Sequence, residues 1–299
     1  MFFKIINRRY VRTRVIQFVY SNLVLEDNSD RNILDFGNSL SNSLDLLYCS
    51  IDLIKEIRKH FLSNQTAKKT FQIILDNPYF NFLSDLNIPT KRGITINWDL
   101  NSNYINDIKK RYIENEFPQK NKSKNKDLDF FIYFFSEIIW SSEILYEFIQ
   151  DQNITWTDDI PMINSYIVSI AKEHDLNKKS MFKIPEVNNY KNEIVFGKKL
   201  IKQVFDNKDK LKSFLDGRIP NWDTERIAQI DLSILISAIA ELIYFPLIPV
   251  KVTINEYIEI SKEYSSPKSS VFINGVLDKI IKDLTDDGTI LKTGRGLIT

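Results

Sequence analysis

The stretch KVTINEYIEISKEYSSPKSSVFINGVLDKII, residues 251 to 281, places two helical patterns around a short polar turn. Apolar residues recur every three or four positions on both sides of the turn, which is the spacing of one helix face. Thr253 and Glu256 have the spacing of a capping box, which predicts that the first helix begins there. Ser266 and Pro267 are typical of an N-cap and a first helical position. The stretch therefore predicts a pair of α-helices.

Asn274-Gly275, inside the second pattern, is a dipeptide typical of β-hairpin turns. Phe272, Val276 and Ile280 nevertheless recur every four residues through it, as they would in a helix. A glycine inside a helix costs about 1 kcal/mol relative to alanine. We therefore expect Gly275 to lie at a close crossing with a neighbouring helix, and Asn274 to face a partner.

The composition of the whole chain agrees with this helical pattern. The 299 residues include only 8 glycines and 9 prolines, which leaves few residues for the tight turns of an all-β fold. With 43% hydrophobic residues, the chain can bury a sizeable core as one large domain or two smaller ones. The sequence predicts an all-α fold.

The residues that bind metals are scarce. The single cysteine, Cys49, excludes an internal disulfide framework and is typical of a reducing compartment. His60 and His174 are too few and too far apart in sequence to suggest a metal site with it. We expect each histidine to be solvated or part of the core, and we expect no metal ion or other cofactor.

Residues 232 to 250, LSILISAIAELIYFPLIPV, approach the length of a membrane span. Glu241 at the centre would cost about 2.5 to 3.5 kcal/mol in a bilayer, and Pro246 and Pro249 interrupt the end. We expect instead a helix buried on all sides in a protein core. Since the first residues are too polar for a secretion signal, the expected location is the cytoplasm, with no membrane partner.

The first helix carries a local positive charge that the net charge of +1 does not reveal. Residues 8–24 form a helical pattern with Val11, Val15 and Phe18 along one stripe. We expect this stripe to dock against the domain and the arginines to occupy the outside of the helix. Residues 1–14 include no acidic residue, and their basic residues are Lys4, Arg8, Arg9, Arg12 and Arg14.

Two polar segments suggest domain boundaries. Residues 118 to 127, PQKNKSKNKD, contain no apolar residue to bury, and their lysines indicate a solvated loop or, alternatively, an RNA-binding segment. Residues 186–193 separate two further helical sets. The predicted segments are 1–125, an N-terminal helical subdomain with the basic first helix and an insert; 126–190, an inserted helical segment; 191–285, a C-terminal helical core; and 286–299, a flexible tail.

Three segments also resemble one known family. KVTINEYIEISKEYS and VFINGVLDK resemble the C-terminal signature of the NusB transcription antitermination factors. PNWDTERIAQIDLSILISAIAEL resembles the segment before that signature, and NRRYVRTRVIQFVY resembles the family's Arg-rich first helix. The matches lie at the two ends of the chain in the family's order. Residues 25–190 are left uncovered, as in a family member with an expanded middle.

The resemblance implies an all-helical protein of two NusB-type subdomains, here with inserted helices. It implies an adaptor, not an enzyme, that pairs with ribosomal protein NusE and binds boxA-type single-stranded leader RNA. The complex would join the RNA polymerase elongation complex and promote complete transcription of ribosomal RNA operons. No cofactor is implied.

The resemblance also indicates site residues. Proteins hold single-stranded RNA by cationic contacts to phosphates and by aromatic rings stacked on bases. For each aromatic candidate the alternative is burial in the core. Many family members have an acidic residue where Lys268 stands, so Lys268 should attract phosphate and not read a base. The RNA-binding candidates are Arg8, Arg9, Arg12, Arg14, Tyr20, Tyr264, Lys268 and Phe272.

Glu225 and Asp231 match acidic family positions near the protein and RNA interfaces, which makes them partner-binding candidates. The alternative for Asp231 is to cap or orient its own helix.

Three other functions are weaker. A NusB-like front end of a ribosomal RNA methyltransferase requires a glycine-rich cofactor loop, which the chain lacks. A scaffold of helices in ribosome biogenesis would bind proteins and no RNA. An enzyme of a new type would need a paired acid and base or an activated nucleophile, and neither stands out in the sequence.

Overall fold

The computed structural model describes residues 4–25, 29–63, 71–115, 117, 125–173, 183–219 and 227–297, with only the backbone for residues 29–34. Glu225, His174 and most of the 118–127 segment lie outside these ranges. Every regular element in the described ranges is a helix, which confirms the all-α prediction.

The elements of the first part of the chain are α1 (Arg8–Leu25), α2 (Ser29–Ser63), α3 (Gln72–Asp76), α4 (Pro78–Ser84), α5 (Ser102–Glu114), α6 (Lys126–Tyr133), a π-helix (Phe134–Ile139), α7 (Glu143–Gln152) and α8 (Trp156–Glu173). They are followed by a 3-10 helix (Val187–Tyr190), α9 (Lys191–Asp206), α10 (Lys208–Ser213), α11 (Gln229–Tyr244), α12 (Val250–Tyr264), α13 (Ser269–Asp286) and a 3-10 helix (Gly294–Leu297).

Contacts between residues divide the chain into two compact units. Unit 1 consists of Met1–Ile5 and Ser39–Asn189, and unit 2 consists of Ile6–Asn38 and Tyr190–Thr299. Helix α1 is therefore grouped with the C-terminal helices α9 to α13. The four sequence-derived segments stay a prediction about domains.

Unit 1 has an aromatic core. Phe130, Phe131, Phe134 and Phe135 are all buried, and the rings of Phe131 and Phe135 stack at 5.7 Å. The apolar residues 128–149 are divided among α6, the π-helix and α7. A π-turn shifts the pairing of the backbone carbonyls. The carbonyl of Ile138 accepts a hydrogen bond from Arg111 Nε at 3.2 Å.

Asp45 on α2 fixes an irregular segment of unit 1. The segment lies within residues 86–101, between α4 and α5. The buried carboxylate of Asp45 accepts hydrogen bonds from the backbone nitrogens of Gly93 at 3.1 Å and Ile94 at 3.0 Å. Trp98 adds a bond from its Nε1 to the Cys49 carbonyl at 3.2 Å. Burial raises the pKa of the Cys49 thiol to about 12, which keeps it protonated and unreactive near neutral pH.

Helix α1 is the central helix of unit 2, packed against α9, α11 and α12. Val11 and Val15 are buried, as the apolar stripe predicted, whereas Phe18, the third residue of that stripe, is half-buried. The expectation that the arginines lie outside is wrong for Arg12 and Arg14, whose exposed fractions are 3% and 2%. With helices on several sides, no face of residues 11–16 is left for solvent.

Helix α11 is buried on all sides, as the sequence predicted. Its residues from Leu232 to Leu242 all have exposed fractions below a tenth, and Glu241 is fully buried. Arg12 binds both carboxylate oxygens of Glu241, each at 2.8 Å. Thr253 Oγ1 donates to the same carboxylate at 2.9 Å. In the described part of the chain, no helix is long and apolar enough to cross a membrane.

Both helix starts predicted for the 251–281 stretch need correction. Helix α12 begins at Val250 after Pro249, and Thr253 is fully buried on Glu241, so Thr253 and Glu256 form no capping box. Helix α13 begins at Ser269, after a turn in which the Ser269 nitrogen donates to the Ser266 carbonyl at 2.9 Å. The propensity rules found the helices but missed the tertiary contacts that set their first residues.

Gly275 does not lie at a close helix crossing. A Cβ added there would meet no atom within 4 Å, and Asn274 bonds instead to Asp278 along the same helix at 3.2 Å. The close crossing in unit 2 is at Gly197 on α9, where a Cβ would lie 2.1 Å from the Phe36 ring and 2.9 Å from Val11.

These two glycines predict opposite responses to alanine. Gly275→Ala should stabilise unit 2 by about 0.5–1 kcal/mol, because an exposed helical glycine adds only backbone entropy to the unfolded chain. Gly197→Ala should destabilise it by about 1–3 kcal/mol through overpacking. Urea denaturation followed by circular dichroism measures both changes, and a loss of stability in Gly275→Ala would contradict the open space seen here.

The buried ion pair predicts a large effect of removing one charge. Glu241→Gln should lower the free energy of unfolding by about 3–5 kcal/mol, because Arg12 would stay charged and buried, with only Glu256, 3.7 Å away, as a remaining counter-ion. Glu259→Gln is the matched control, since that surface carboxylate pairs with Lys262 on the same helix and its loss should cost far less. Equal losses in the two variants would be evidence against the special role of Glu241.

Candidate nucleic-acid interface

Arg8, at the start of α1, is the arginine of the basic cluster best placed to meet an anion. Its guanidinium carbon lies 4.1 Å from the centre of the Phe196 ring, a cation–π contact that fixes the side chain. Burial lowers the pKa of Arg8, and the neighbouring Glu193 partly offsets this. Arg8 remains exposed and donates no hydrogen bond to any described residue. Its N–H groups are therefore available to a ligand.

Arg9 is exposed but already paired. Its Nε and one terminal nitrogen donate to the two oxygens of Glu256 at 3.0 and 3.1 Å. The hydrogen bond with Glu256 raises the pKa of Arg9, to which Glu259 and Glu263 also contribute. A phosphate would have to displace Glu256 from a two-pronged contact.

Arg12 and Arg14 are committed to the interior of unit 2. Burial acts to lower the pKa of Arg12, but the charge and hydrogen bonds of Glu241 outweigh it and raise the pKa above its usual value. Arg14 donates from Nε to the Tyr10 hydroxyl at 2.9 Å and from another nitrogen to Gln17 at 3.0 Å. Neither guanidinium is presented to a ligand in this structure.

The turn between α12 and α13 is held by Asp231. The Asp231 side chain is 5% exposed and accepts hydrogen bonds from the hydroxyls of Ser265 at 2.5 Å and Ser269 at 2.9 Å. Asp231 thereby ties its own helix, α11, to the turn between α12 and α13, whereas the alternative expected for it was to cap or orient its own helix. It fixes the turn that carries the exposed Lys268.

The aromatic candidates differ in exposure. Tyr20 on α1 is 41% exposed, so one side of its ring meets solvent. Tyr264 and Phe272 are half-buried, so their rings are neither fully buried in the core nor fully exposed to solvent. Phe272 lies four residues after Lys268, about one helical turn away, so the cation and the ring share a side of α13.

The structure thus groups the predicted RNA-binding residues on two parts of unit 2. Arg8 and Tyr20 lie near opposite ends of α1, about 18 Å apart along the axis at 1.5 Å per residue. Tyr264, Lys268 and Phe272 lie around the turn between α12 and α13. Glu225 belongs to the residues that are not described.

Sequence reasoning missed several residues around the basic helix. Phe196 on α9 supports Arg8, and Phe245 meets Phe196 edge to face at 5.2 Å. Lys199 lies 5.1 Å from the centre of the Phe245 ring. No sequence spacing connects residues 8, 196 and 245, and only the fold brings them together. One signal did exist, because a glutamate in a buried helix requires a cation, and the basic helix is a rich source.

The described residues offer no group of three His, Cys, Asp or Glu side chains that could hold a metal ion. Cys49 is buried, and burial raises the pKa of its thiol. What unit 2 presents is an exposed arginine on an aromatic ring, an exposed lysine at a fixed turn and half-exposed rings. Such a surface can bind an anionic chain.

Comparison with known proteins agrees with this surface. The family described as NusB matches residues 162–282, which include α9 to α13 and most of α8. Helix α1 lies outside the matched NusB residues but packs against α9 and α11 within them.

Three curated relatives carry the name transcription antitermination protein NusB. The protein of Salinibacter ruber is 43% identical over 103 residues, covering 34% of this chain and 64% of the relative. That of Chloroherpeton thalassium is 41% identical over 100 residues, 33% of this chain and 47% of the relative. That of Clostridium botulinum is 44% identical over 89 residues, which are 30% of this chain and 62% of the relative. The chain thus spans about half to two thirds of each NusB relative, and no solved structure matches it.

The two hydrogen bonds to Asp231 predict that this residue controls the order of the turn between α12 and α13. Asp231→Asn removes the charge and one acceptor, so the hydroxyl bonds of Ser265 and Ser269 should weaken by about 1.5–3 kcal/mol. Amide hydrogen exchange of residues 265–272 should then accelerate, while α1 stays protected. Asp278→Asn on α13 is the control, because that exposed side chain bonds only to Asn274 among the described residues. Unchanged exchange in Asp231→Asn would remove the positioning role.

Proposed function

We propose that the chain is a transcription antitermination factor that binds boxA-type single-stranded RNA together with ribosomal protein NusE. In this proposal the complex joins the RNA polymerase elongation complex and promotes complete transcription of ribosomal RNA operons. The observation that carries it is the NusB-family match at residues 162–282, whose relatives are named for antitermination. The chain acts as an adaptor in the cytoplasm and not as a catalyst.

The RNA would be held by the exposed part of unit 2. Arg8 supplies a charge already oriented by the Phe196 ring, so it can bind a phosphate without giving up another partner. Lys268 supplies a second charge, and Phe272 on the same side of α13 supplies a ring for a base. A bare lysine charge positions the backbone but carries no sequence information. Base discrimination would therefore come from the aromatic contacts and the partner protein.

Of the eight candidates, the contacts favour five for direct RNA contact: Arg8, Tyr20, Tyr264, Lys268 and Phe272. Arg9 would contribute only after Glu256 moves away. We assign Arg12 and Arg14 to the stability of unit 2, because their guanidinium groups are buried. Glu225 stays the candidate for contact with NusE, and Asp231 supports the interface from within.

The second candidate is a helical RNA-binding or protein-interaction scaffold in ribosome biogenesis. The observation in its favour is unit 1, which adds helices α3 to α7 between the regions that resemble NusB. A scaffold that binds proteins alone would give no RNA complex. A gel-shift experiment with leader RNA, with and without NusE of the same organism, separates the two. A further shift that requires both proteins supports the antitermination complex, and no shift in either lane contradicts it.

Single substitutions separate RNA contacts from the fold. Phe272→Ala should weaken RNA binding by about 1–3 kcal/mol, the usual contribution of one base stacked on an aromatic ring. Arg8→Gln should lower the slope of log affinity against log salt by about 0.7 for one phosphate contact. Both should keep the circular dichroism spectrum of the parent protein. Leu25→Ala at the exposed end of α1 is a matched surface control, which should change neither quantity. Normal RNA affinity in folded Phe272→Ala would assign that ring to the core.

A further inference from the structure

The C-terminal segment after α13 is docked on unit 2 through its backbone. The Thr293 nitrogen donates to the Pro246 carbonyl at 3.0 Å. A Cβ on Gly296 would lie 1.9 Å from the same carbonyl oxygen, and Gly294 adopts a φ of 53°, which favours glycine. Two glycines therefore make this close approach possible, and residues 292–297 have a defined position beside the loop that follows α11.

This docking holds a cation at Phe245. The Lys292 ammonium donates to the Phe245 carbonyl at 3.2 Å. Burial lowers the pKa of Lys292 to about 8, and Glu241 in the core is the charged group that counteracts this. Among the described residues no carboxylate lies within ion-pair distance of Lys292. Burial disfavours the charged form of Lys292, and an anion bound beside the ammonium would stabilise that form.

Two more cations lie on the connected aromatic pair. Lys199 is 5.1 Å from the centre of the Phe245 ring, and Arg8 is 4.1 Å from the centre of the Phe196 ring. The two rings meet edge to face at 5.2 Å. Helix α1 and helix α9 therefore each bring a cation to the pair of rings, and the C-terminal segment brings another to the Phe245 carbonyl.

In the described part of the chain, no ion pair neutralises Lys199, whereas Lys202 on the same helix pairs with Asp206 at 3.0 Å. The carboxylates that act on Arg8 are Glu193 and Glu241, and both are buried. Arg295 is exposed on the docked segment, between Gly294 and Gly296.

We propose that Lys199, Lys292 and Arg295 form a second phosphate-binding surface, adjoining Arg8, that holds the RNA backbone outside the segment bound at the Lys268–Phe272 turn. This inference rests on the proposed function of the chain. Lysine and arginine contacts to phosphate add affinity without reading sequence. The C-terminal segment lies beyond the matched residues 162–282, so this surface adds to the family region.

The test compares two RNAs in complex with the full chain and NusE. One is the minimal boxA-type RNA, and the other is the same RNA extended by unrelated nucleotides at both ends. In a triple variant, Lys199, Lys292 and Arg295 are each changed to Gln. We expect this variant to bind the minimal RNA normally and to lose about two units of salt slope with the extended RNA, at about 0.7 per phosphate contact. Glutamine at the paired lysines Lys59, Lys110 and Lys202 is the charge-matched control, which should change neither slope.

A second variant separates position from charge. Gly296→Val leaves every cation in place but cannot keep its close approach to Pro246, so the segment should leave the surface. Affinity for the extended RNA should fall as in the triple variant. The pKa of the Lys292 ammonium, measured by NMR, should rise toward the value of a solvated lysine, while circular dichroism stays that of the parent.

The outcomes are distinct. If the parent protein binds both RNAs and the two variants bind the extended RNA with the parent slope, the second surface is disproved and the proposed function stands. If the parent protein binds neither RNA, with or without NusE, both proposals fail. A selective loss with the extended RNA in both variants supports the surface.

Discussion

The buried ion pair between Arg12 and Glu241 is the interaction on which unit 2 depends. Two charges in a core are costly to desolvate, and only good geometry with further hydrogen bonds compensates this cost. Arg12 binds both oxygens of Glu241 at 2.8 Å, and Thr253 adds a third bond to the carboxylate. The hydroxyl of Tyr257 approaches it at 3.4 Å. Because these residues come from α1, α11 and α12, the relative position of three helices is determined by one carboxylate.

The same pair explains how one basic segment serves two purposes. Arg12 faces α11 and is buried, whereas Arg8, one turn earlier, reaches the edge of the unit and lies on Phe196. Arg9 points toward α12 and pairs with Glu256. A local excess of positive charge in the sequence therefore does not give the number of charges available to RNA. The packing of α1 on its neighbours decides which arginines are available.

The sequence predicted the helices and the buried α11, because apolar periodicity and a central glutamate are local signals. The resemblance pointed to the NusB region, because its signature is contiguous. The start of α12 and the role of Gly275 were wrong for a common reason. The Thr253 hydroxyl donates to Glu241, which is twelve residues away in the sequence. The close helix crossing is at Gly197, where the Phe36 ring occupies the space that a Cβ would take. The placement of Arg8 on Phe196 likewise depends on distant partners, for which local spacing contains no information.

The anchoring of α1 also bears on how tightly the proposed site can bind. Ordering a long side chain on binding costs about 0.5–1.5 kcal/mol, and this cost falls when the side chain is already fixed in the free protein. Arg12 fixes the rotation of α1, and this rotation places Arg8 on the Phe196 ring before any ligand arrives. Arg9 must first release Glu256, so much of what it gains from a phosphate is lost from that pair. The ion pair in the core would therefore set the strength of the RNA contact at Arg8 without touching RNA itself.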